Sequence, residues 1–155
     1  RQVLEAGPVA GYPLHDVRVI VYDGKYHTVD SKEVAFIAAG KRAFMDAISK
    51  ARPIILEPIV NVEIAAPSAN MGDIAGDMSS RRGQVSGTDT LAADMLAIKG
   101  HAPLAELADY QTRLKSITAG HGSFSIELSH YEPVPATVQK QLADLHAKTA
   151  HAEED

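Results

Sequence analysis

MGDIAGDMSSRRGQVSG, residues Met71–Gly87, reads as a short helix, its exit and the start of a strand. Met71, Ile74, Ala75 and Met78 recur at helical spacing and make one apolar stripe. Arg81-Arg82-Gly83 forms the exit, and Gln84–Thr88 is the strand after it. Ile59–Ile64 precedes the helix as a strand, with Val60, Val62 and Ile64 alternating with Asn61 and Glu63. Asp94–Ala102 reads as a third strand. A second helix, starting at Leu104, carries Leu107, Tyr110, Leu114 and Ile117. It leaves through Gly120-His121-Gly122 into a strand with Phe124, Ile126 and Leu128 on one face. The two exits match locally, Gly83-Gln84-Val85-Ser86 beside Gly122-Ser123-Phe124-Ser125. Strand–helix–strand twice over predicts a ferredoxin-like βαββαβ domain of the α+β class. Each helix has one apolar stripe, so both are expected on one face of a four-stranded antiparallel sheet. Met71, Ile74, Met78, Leu107, Leu114 and Ile117 should then be buried.

Toward the N-terminus, Gly7-Pro8 ends an opening helical stub. His15–Tyr22 alternates, with Val17, Val19 and Val21 facing one way, and predicts a strand with a fully buried face. Tyr22-Asp23-Gly24-Lys25-Tyr26-His27 predicts an exposed turn, Asp-Gly favouring the left-handed conformation. Asp30 is the expected N-cap of a helix, with Glu33 three residues on. That helix carries Phe36, Ile37, Gly40, Phe44, Ala47, Ile48 and Ala51 as a buried stripe and stops before Pro53. The expected domains are therefore 1–53 and 54–134. Residues 135–155 add a last short helix marked by Val138, Leu142 and Leu145, and an acidic tail expected to fray.

A length of 155 residues allows one domain or two small ones. With 45% hydrophobic and 23% charged residues, the chain is globular rather than disordered. No apolar run reaches the length of a membrane span, and no charged-then-apolar leader opens the chain. It begins at Arg1, and Arg1–Ala6 reads as the end of a helix without its beginning, so a piece of a longer protein is expected. The absence of cysteine excludes disulfides and thiolate metal sites and fits a reducing compartment. A net charge of −5 argues against a phosphate-rich partner. Placement matters more than the sum, however. Glu153, Glu154 and Asp155 gather acid at the C-terminus, while Lys41, Arg42, Lys50, Arg52 and the pair Arg81-Arg82 form local basic groups.

No loop of the GxxxxGK type is present to cradle nucleotide phosphates. Gly120-His121-Gly122 leads into a strand, whereas phosphate loops lead into a helix whose amides complete the site. The seven histidines show no metal-ligand spacing, and no serine, histidine and carboxylate set has the context of a nucleophile elbow. His27 is read as an ordinary loop histidine on the bare sequence. Arg81-Arg82 reads equally as helix C-terminal cations favoured by the macrodipole or as a phosphate contact.

Three segments in order, Gly11–Phe36 (GYPLHDVRVIVYDGKYHTVDSKEVAF), Met71–Gly87 and Pro103–Pro135 (PLAELADYQTRLKSITAGHGSFSIELSHYEPVP), resemble the C-terminal third of the bacterial elongation factor G family. The resemblance implies the later part of that family's domain IV, a ribosomal protein S5 domain 2-like strand–helix piece, followed by all of its domain V. GTP and magnesium belong to an N-terminal domain of the full-length parent. This stretch is therefore expected to carry no cofactor or metal and no enzymatic activity of its own. The implied partners are the ribosome and its RNA: the small-subunit decoding region with tRNA and mRNA, and the large-subunit factor-binding centre. No DNA and no membrane are expected, and the protein should be a cytoplasmic monomer. The implied RNA-contacting residues are Lys25, Tyr26, His27 and Thr28 at the domain IV tip, with Arg81, Arg82, Lys115 and His121 in domain V. Leu114–Ser123 reads LKSITAGHGS where the family favours LRSLTQGRGS, so Lys115, Ala119 and His121 depart from the pattern. Those departures raise an elongation-factor-G-like paralogue, acting in ribosome recycling or another ribosome-linked role, as the alternative. Tetracycline-resistance ribosome-protection proteins share the architecture but are expected to lack GYP and SRRG in this form. A ferredoxin-like ligand-binding regulatory module is the alternative of another class, with no signature in the sequence.

Overall fold

A computed structural model describes residues 2–27 and 32–152. The chain divides into two compact units, Leu56–Pro133, and Arg1–Ile55 together with Val134–Asp155.

The central unit runs β1 (Leu56–Pro67), α2 (Met71–Ser80), β2 (Gln84–Ala92), β3 (Met95–Pro103), α3 (Tyr110–Ile117) and β4 (Ser123–Pro133). α1 (Glu33–Lys50) and α4 (Ala136–Ala152) lie outside it. The strands form one sheet in the order β2-β3-β1-β4, every neighbouring pair antiparallel. Each βαβ half is thus split by a strand of the other half, the ferredoxin-like arrangement. Along β1, Val60, Val62, Ile64 and Ala66 are buried, while Asn61 and Glu63 are exposed. Ile74 and Met78 of α2 and Tyr110 and Leu114 of α3 join them in one core with Leu107. Both helices therefore cover the same sheet face. Met71 and Ile117 pack against this core only half-buried, since each sits at a helix end. Val85 and Phe124, the matched residues of the two exits, also pack against it.

The helix expected from Leu104 is broken. Leu104–Leu107 is a 3-10 turn and α3 starts at Tyr110. The Glu106 carbonyl, which a continuous helix would offer to the Tyr110 amide, instead accepts from Arg81 at 2.7 Å.

In the other unit the sequence pattern fails at several places. The expected strand His15–Tyr22 forms no strand pairing, Asp16 takes φ 56, and Val17, Val19 and Val21 are 38%, 58% and 86% exposed. A strand needs a neighbour for its amides and a second layer for its apolar face; the described residues supply neither. Gly24 does not adopt the left-handed conformation expected of the Asp-Gly turn; instead Asp23 Oδ1 accepts its N–H at 2.7 Å. α1 buries no residue fully; Phe44, Met45 and Ile48 are half-buried, and Phe36 and Ile37 are exposed. Its N-cap position is Lys32, without a side-chain bond, and Asp30 lies outside the described residues. Arg52 takes φ 54 before Pro53 and closes the helix exit.

α4 is longer than expected, and Leu145 is 60% exposed while Val138, Leu142 and His146 are half-buried. Gln139 Oε1 accepts the Ile55 N–H at 3.1 Å, and the Val134 N–H donates to the Ile55 carbonyl at 2.9 Å. At Gly11, φ is 73 and an added Cβ would stand 2.7 Å from Nε2 of His146. Gly11 thus lets α4 pack on the GYP turn. The acidic residues Glu153, Glu154 and Asp155 lie outside the described residues. No helix among the described residues is long and apolar enough to cross a membrane.

Candidate functional site

The segment Tyr22–His27 carries its side chains outward: Tyr22 is 95% and Tyr26 72% exposed, and Lys25 and His27 are exposed as well. Thr28, the fourth residue expected here, lies outside the described residues. Lys25 offers three N–H donors and a point charge, and Tyr26 offers a flat face with a hydroxyl at its edge. Such a set suits irregular RNA, whose unstacked bases stack on aromatic rings while phosphates meet the cation. Lys41 and Arg42 are exposed on α1, and Lys50 is paired with Asp46 at 2.7 Å.

The second expected site, Arg81-Arg82, has a different character. α2 ends in a Schellman turn: the Arg82 amide donates to the Ser79 carbonyl and the Gly83 amide to that of Met78. Arg82 occupies the left-handed position, φ 58, that glycine usually takes. Its guanidinium pairs with both oxygens of Glu57, at 2.7 and 2.8 Å, and its Nε donates to Glu106 at 2.9 Å. Arg81 donates to Asp77 at 2.8 Å and to Asp109 at 2.6 Å, and lies 5.3 Å above the Tyr110 ring. Arg113 reaches the other oxygen of Asp77 at 2.9 Å. The Glu57 and Asp77 side chains are only 11% and 8% exposed, so both carboxylates depend on these arginines.

The left-handed backbone at Arg82 costs about 1–2 kcal/mol. Breaking so enclosed a pair costs on the order of 2–4 kcal/mol after a discount for Arg82's partial exposure. The pairing outweighs the strain. Both guanidiniums are held further in their charged form, Arg81 first by its hydrogen bond to Asp109 and Arg82 first by that to Glu57. Arg81 in turn holds the Asp109 carboxyl below its usual range.

Tyr110 is wholly buried, edge-on to Phe124 at 5.0 Å, and its hydroxyl has no hydrogen-bond partner among the described residues. Burial, reinforced by Asp77, pushes that hydroxyl up to about 12.

Lys115 and His121 are exposed at the far end of α3. There the Asn70 side chain, just before α2, donates to the Ile117 carbonyl at 3.0 Å, while Arg81 meets Asp109 at the opposite end. The two helices thus run antiparallel. Arg81-Arg82 and Lys115 are separated by roughly the length of α2, about 15 Å. The structure therefore does not gather the four expected residues of this unit into one patch.

Sequence reasoning missed Glu57, Asp77, Glu106, Asp109 and Arg113. A signal was present for part of this set, since Asp77–Arg81 and Asp109–Arg113 share acid–base spacing of four. No group of His, Asp and Glu among the described residues could hold a metal ion.

Two family models match the chain in tandem: elongation factor G domain IV over residues 1–52 and elongation factor G C-terminus over residues 54–142. An elongation factor G of Aquifex pyrophilus is 44% identical over 142 residues, covering 92% of this chain and 20% of its own length. An elongation factor G-like protein of Thermotoga maritima is 42% identical over 144 residues, 93% of this chain and 21% of its own. A crystal structure from Thermus thermophilus superimposes with a TM-score of 0.77 at 33% identity, covering 95% of this chain and 22% of that one. The chain spans about a fifth of the length of these relatives.

Proposed function

Because the chain belongs to the elongation factor G family, we propose that it is the ribosome-binding C-terminal part of a GTP-hydrolysing factor that promotes tRNA and mRNA translocation. The observation that carries this reading is the tandem match to domain IV and the C-terminal domain. The solvent-facing Lys25-Tyr26-His27 segment supports it. In this reading the tip segment meets the decoding region of the small subunit. Tyr26 stacks on unpaired bases, Lys25 meets phosphate, and His27 donates or accepts a hydrogen bond according to its tautomer. The central unit docks at the large-subunit factor-binding centre, with Lys115 and His121 as its RNA-facing groups. The stretch itself binds and pushes, while GTP and magnesium are handled elsewhere in the cytoplasmic parent.

The test is His27→Ala in the full-length parent, comparing single-round GTP cleavage with single-round translocation. Translocation should slow on the order of tenfold, equivalent to about 1.4 kcal/mol of barrier, with cleavage nearly unchanged. His27 is exposed, so its truncation should cost little folding energy. Equal slowing of both steps would refute the tip role. An unchanged pair of rates would favour an elongation-factor-G-like paralogue with another ribosomal task.

A further inference from the structure

We infer that Arg81 and Arg82 form an internal clasp that sets the break before α3, and that they are not contacts for an external phosphate. The first reason is donor bookkeeping. Every guanidinium nitrogen of Arg82 already donates to a carboxylate, Nε to Glu106 and the other two to Glu57. Arg81 spends Nε on Asp77, one terminal nitrogen on Asp109 and the Glu106 carbonyl, and the other on Asp109 at 3.4 Å. The N–H groups left over sit on nitrogens already committed to carboxylates, so an outside phosphate would compete with partners that the fold has partly buried.

The second reason is backbone geometry. At Arg82 the chain takes a conformation that glycine would adopt without strain, and the position carries arginine all the same. Its side chain gains what the backbone loses through a two-pronged bond to Glu57 on β1. Arg81 meanwhile removes the Glu106 carbonyl from the helix ladder and draws in Asp109, the residue before α3. One dipeptide therefore ties the exit of α2 to the start of β1 and to the start of α3.

The third reason is the charge of this unit. Residues 56–133 hold five cations, Arg81, Arg82, Lys99, Arg113 and Lys115, against ten carboxylates. Four of the five stand in ion pairs within the unit, and Lys115 has no carboxylate within salt-bridge distance among the described residues. The cation left for an external anion is Lys115.

The clasp is independent of ribosome binding, and its test reads stability alone, so failure of either idea leaves the other standing. Arg82→Gly, Glu57→Gln and the double variant of the 155-residue chain should be compared by thermal unfolding in low and high salt. Arg82→Gly should lower the midpoint of the central unit by about 4–8 °C or more, although glycine relieves the backbone. Glu57→Gln, isosteric and uncharged, should lower it less. The double variant should fall short of the sum, because a neutral residue 57 no longer needs the arginine. High salt should narrow all these gaps. In nitrogen–proton spectra the Arg82 Nε–H, which donates to Glu106, should exchange slowly in the wild type and rapidly in Glu106→Gln, a readout that holds even if Arg82→Gly fails to fold. A midpoint of Arg82→Gly at or above wild type, strict additivity, or fast Nε–H exchange in the wild type would overturn the clasp.

Discussion

The two helix exits of the central unit solve the same problem with different means. Both turn from helix to strand with a non-glycine residue in the left-handed conformation, Arg82 after α2 and Ala119 after α3, and with the next amide reaching back to the helix, Gly83 to the Met78 carbonyl and Gly120 to that of Lys115. At the first, the residue after it must be glycine for space. A Cβ on Gly83 would lie 2.9 Å from the Met78 methyl, 3.0 Å from the Met78 carbonyl and 3.1 Å from Ala102. At the second, Gly120 has open space but itself takes φ 86, so its backbone conformation requires glycine. The α2 exit is tight and held by ion pairs. The α3 exit is two residues longer before its strand and is held by Thr118, whose buried hydroxyl accepts from the Gly122 amide at 2.8 Å. A strained left-handed residue thus persists either by side-chain compensation or beside a relaxed neighbour.

The comparison breaks most visibly at Gly83. Gly83→Ala should destabilise the central unit by about 1–3 kcal/mol through overpacking, because a backbone carbonyl cannot step aside as a side chain can. Denaturant unfolding would measure it, and a loss under about 0.5 kcal/mol would show that the α2 exit is looser than its distances suggest.

Tyr110 gives the next effect, which depends on pH. Its ring lies beneath Arg81 and its hydroxyl is buried, within the field of Asp77 on α2. The folded value, about 12, lies above the 10.0 of an exposed tyrosine. The folded state therefore keeps the proton that the unfolded chain releases. Stability from this source is intact below pH 10 and declines as pH rises through that value toward about 12. Tyr110→Phe should flatten the decline. Near neutrality it should be neutral or stabilising by about 1 kcal/mol, since it removes a buried donor that has no partner among the described residues. Unfolding midpoints from about pH 7 to about pH 12 would test both statements.

The smallest change sharpens the contrast between the exits. Ala119→Gly should stabilise by up to about 1 kcal/mol, because methyl removal relieves the left-handed backbone and costs no ion pair. Arg82→Gly has the opposite sign at the matched position. Equal signs in the two melting experiments would mean that one rule governs both exits.

The sequence legibly encoded elements whose partners it also supplied. The alternation of Val60, Val62 and Ile64 and the stripe of Ile74 and Met78 predicted strand and helix correctly, because the opposing layer lies in the same unit. The same kind of alternation at Val17, Val19 and Val21 misled, since all three remain exposed among the described residues. The composition of the Tyr22–His27 segment was readable residue by residue, and exposure of Lys25, Tyr26 and His27 followed from the polar run around Asp23-Gly24. The internal partners of Arg81-Arg82 were not readable, because a run of two arginines looks the same whether its partners lie inside the fold or outside.

Periodicity and spacing report on neighbours within about four residues, the range over which a helix or strand repeats. From them alone came the strand–helix–strand pattern and its doubling, and the motifs they frame carried the kinship of the chain. The clasp instead joins residues 24 to 36 positions apart, such as Arg82 with Glu106 and Arg113 with Asp77. Such pairs exist only after β1, α2 and α3 have closed around one core. The broken helix at Glu106, the burial of the Tyr110 hydroxyl and the strained backbone of Arg82 were all decided at that stage. Each is a local cost, stabilised by contacts that form only when distant segments meet.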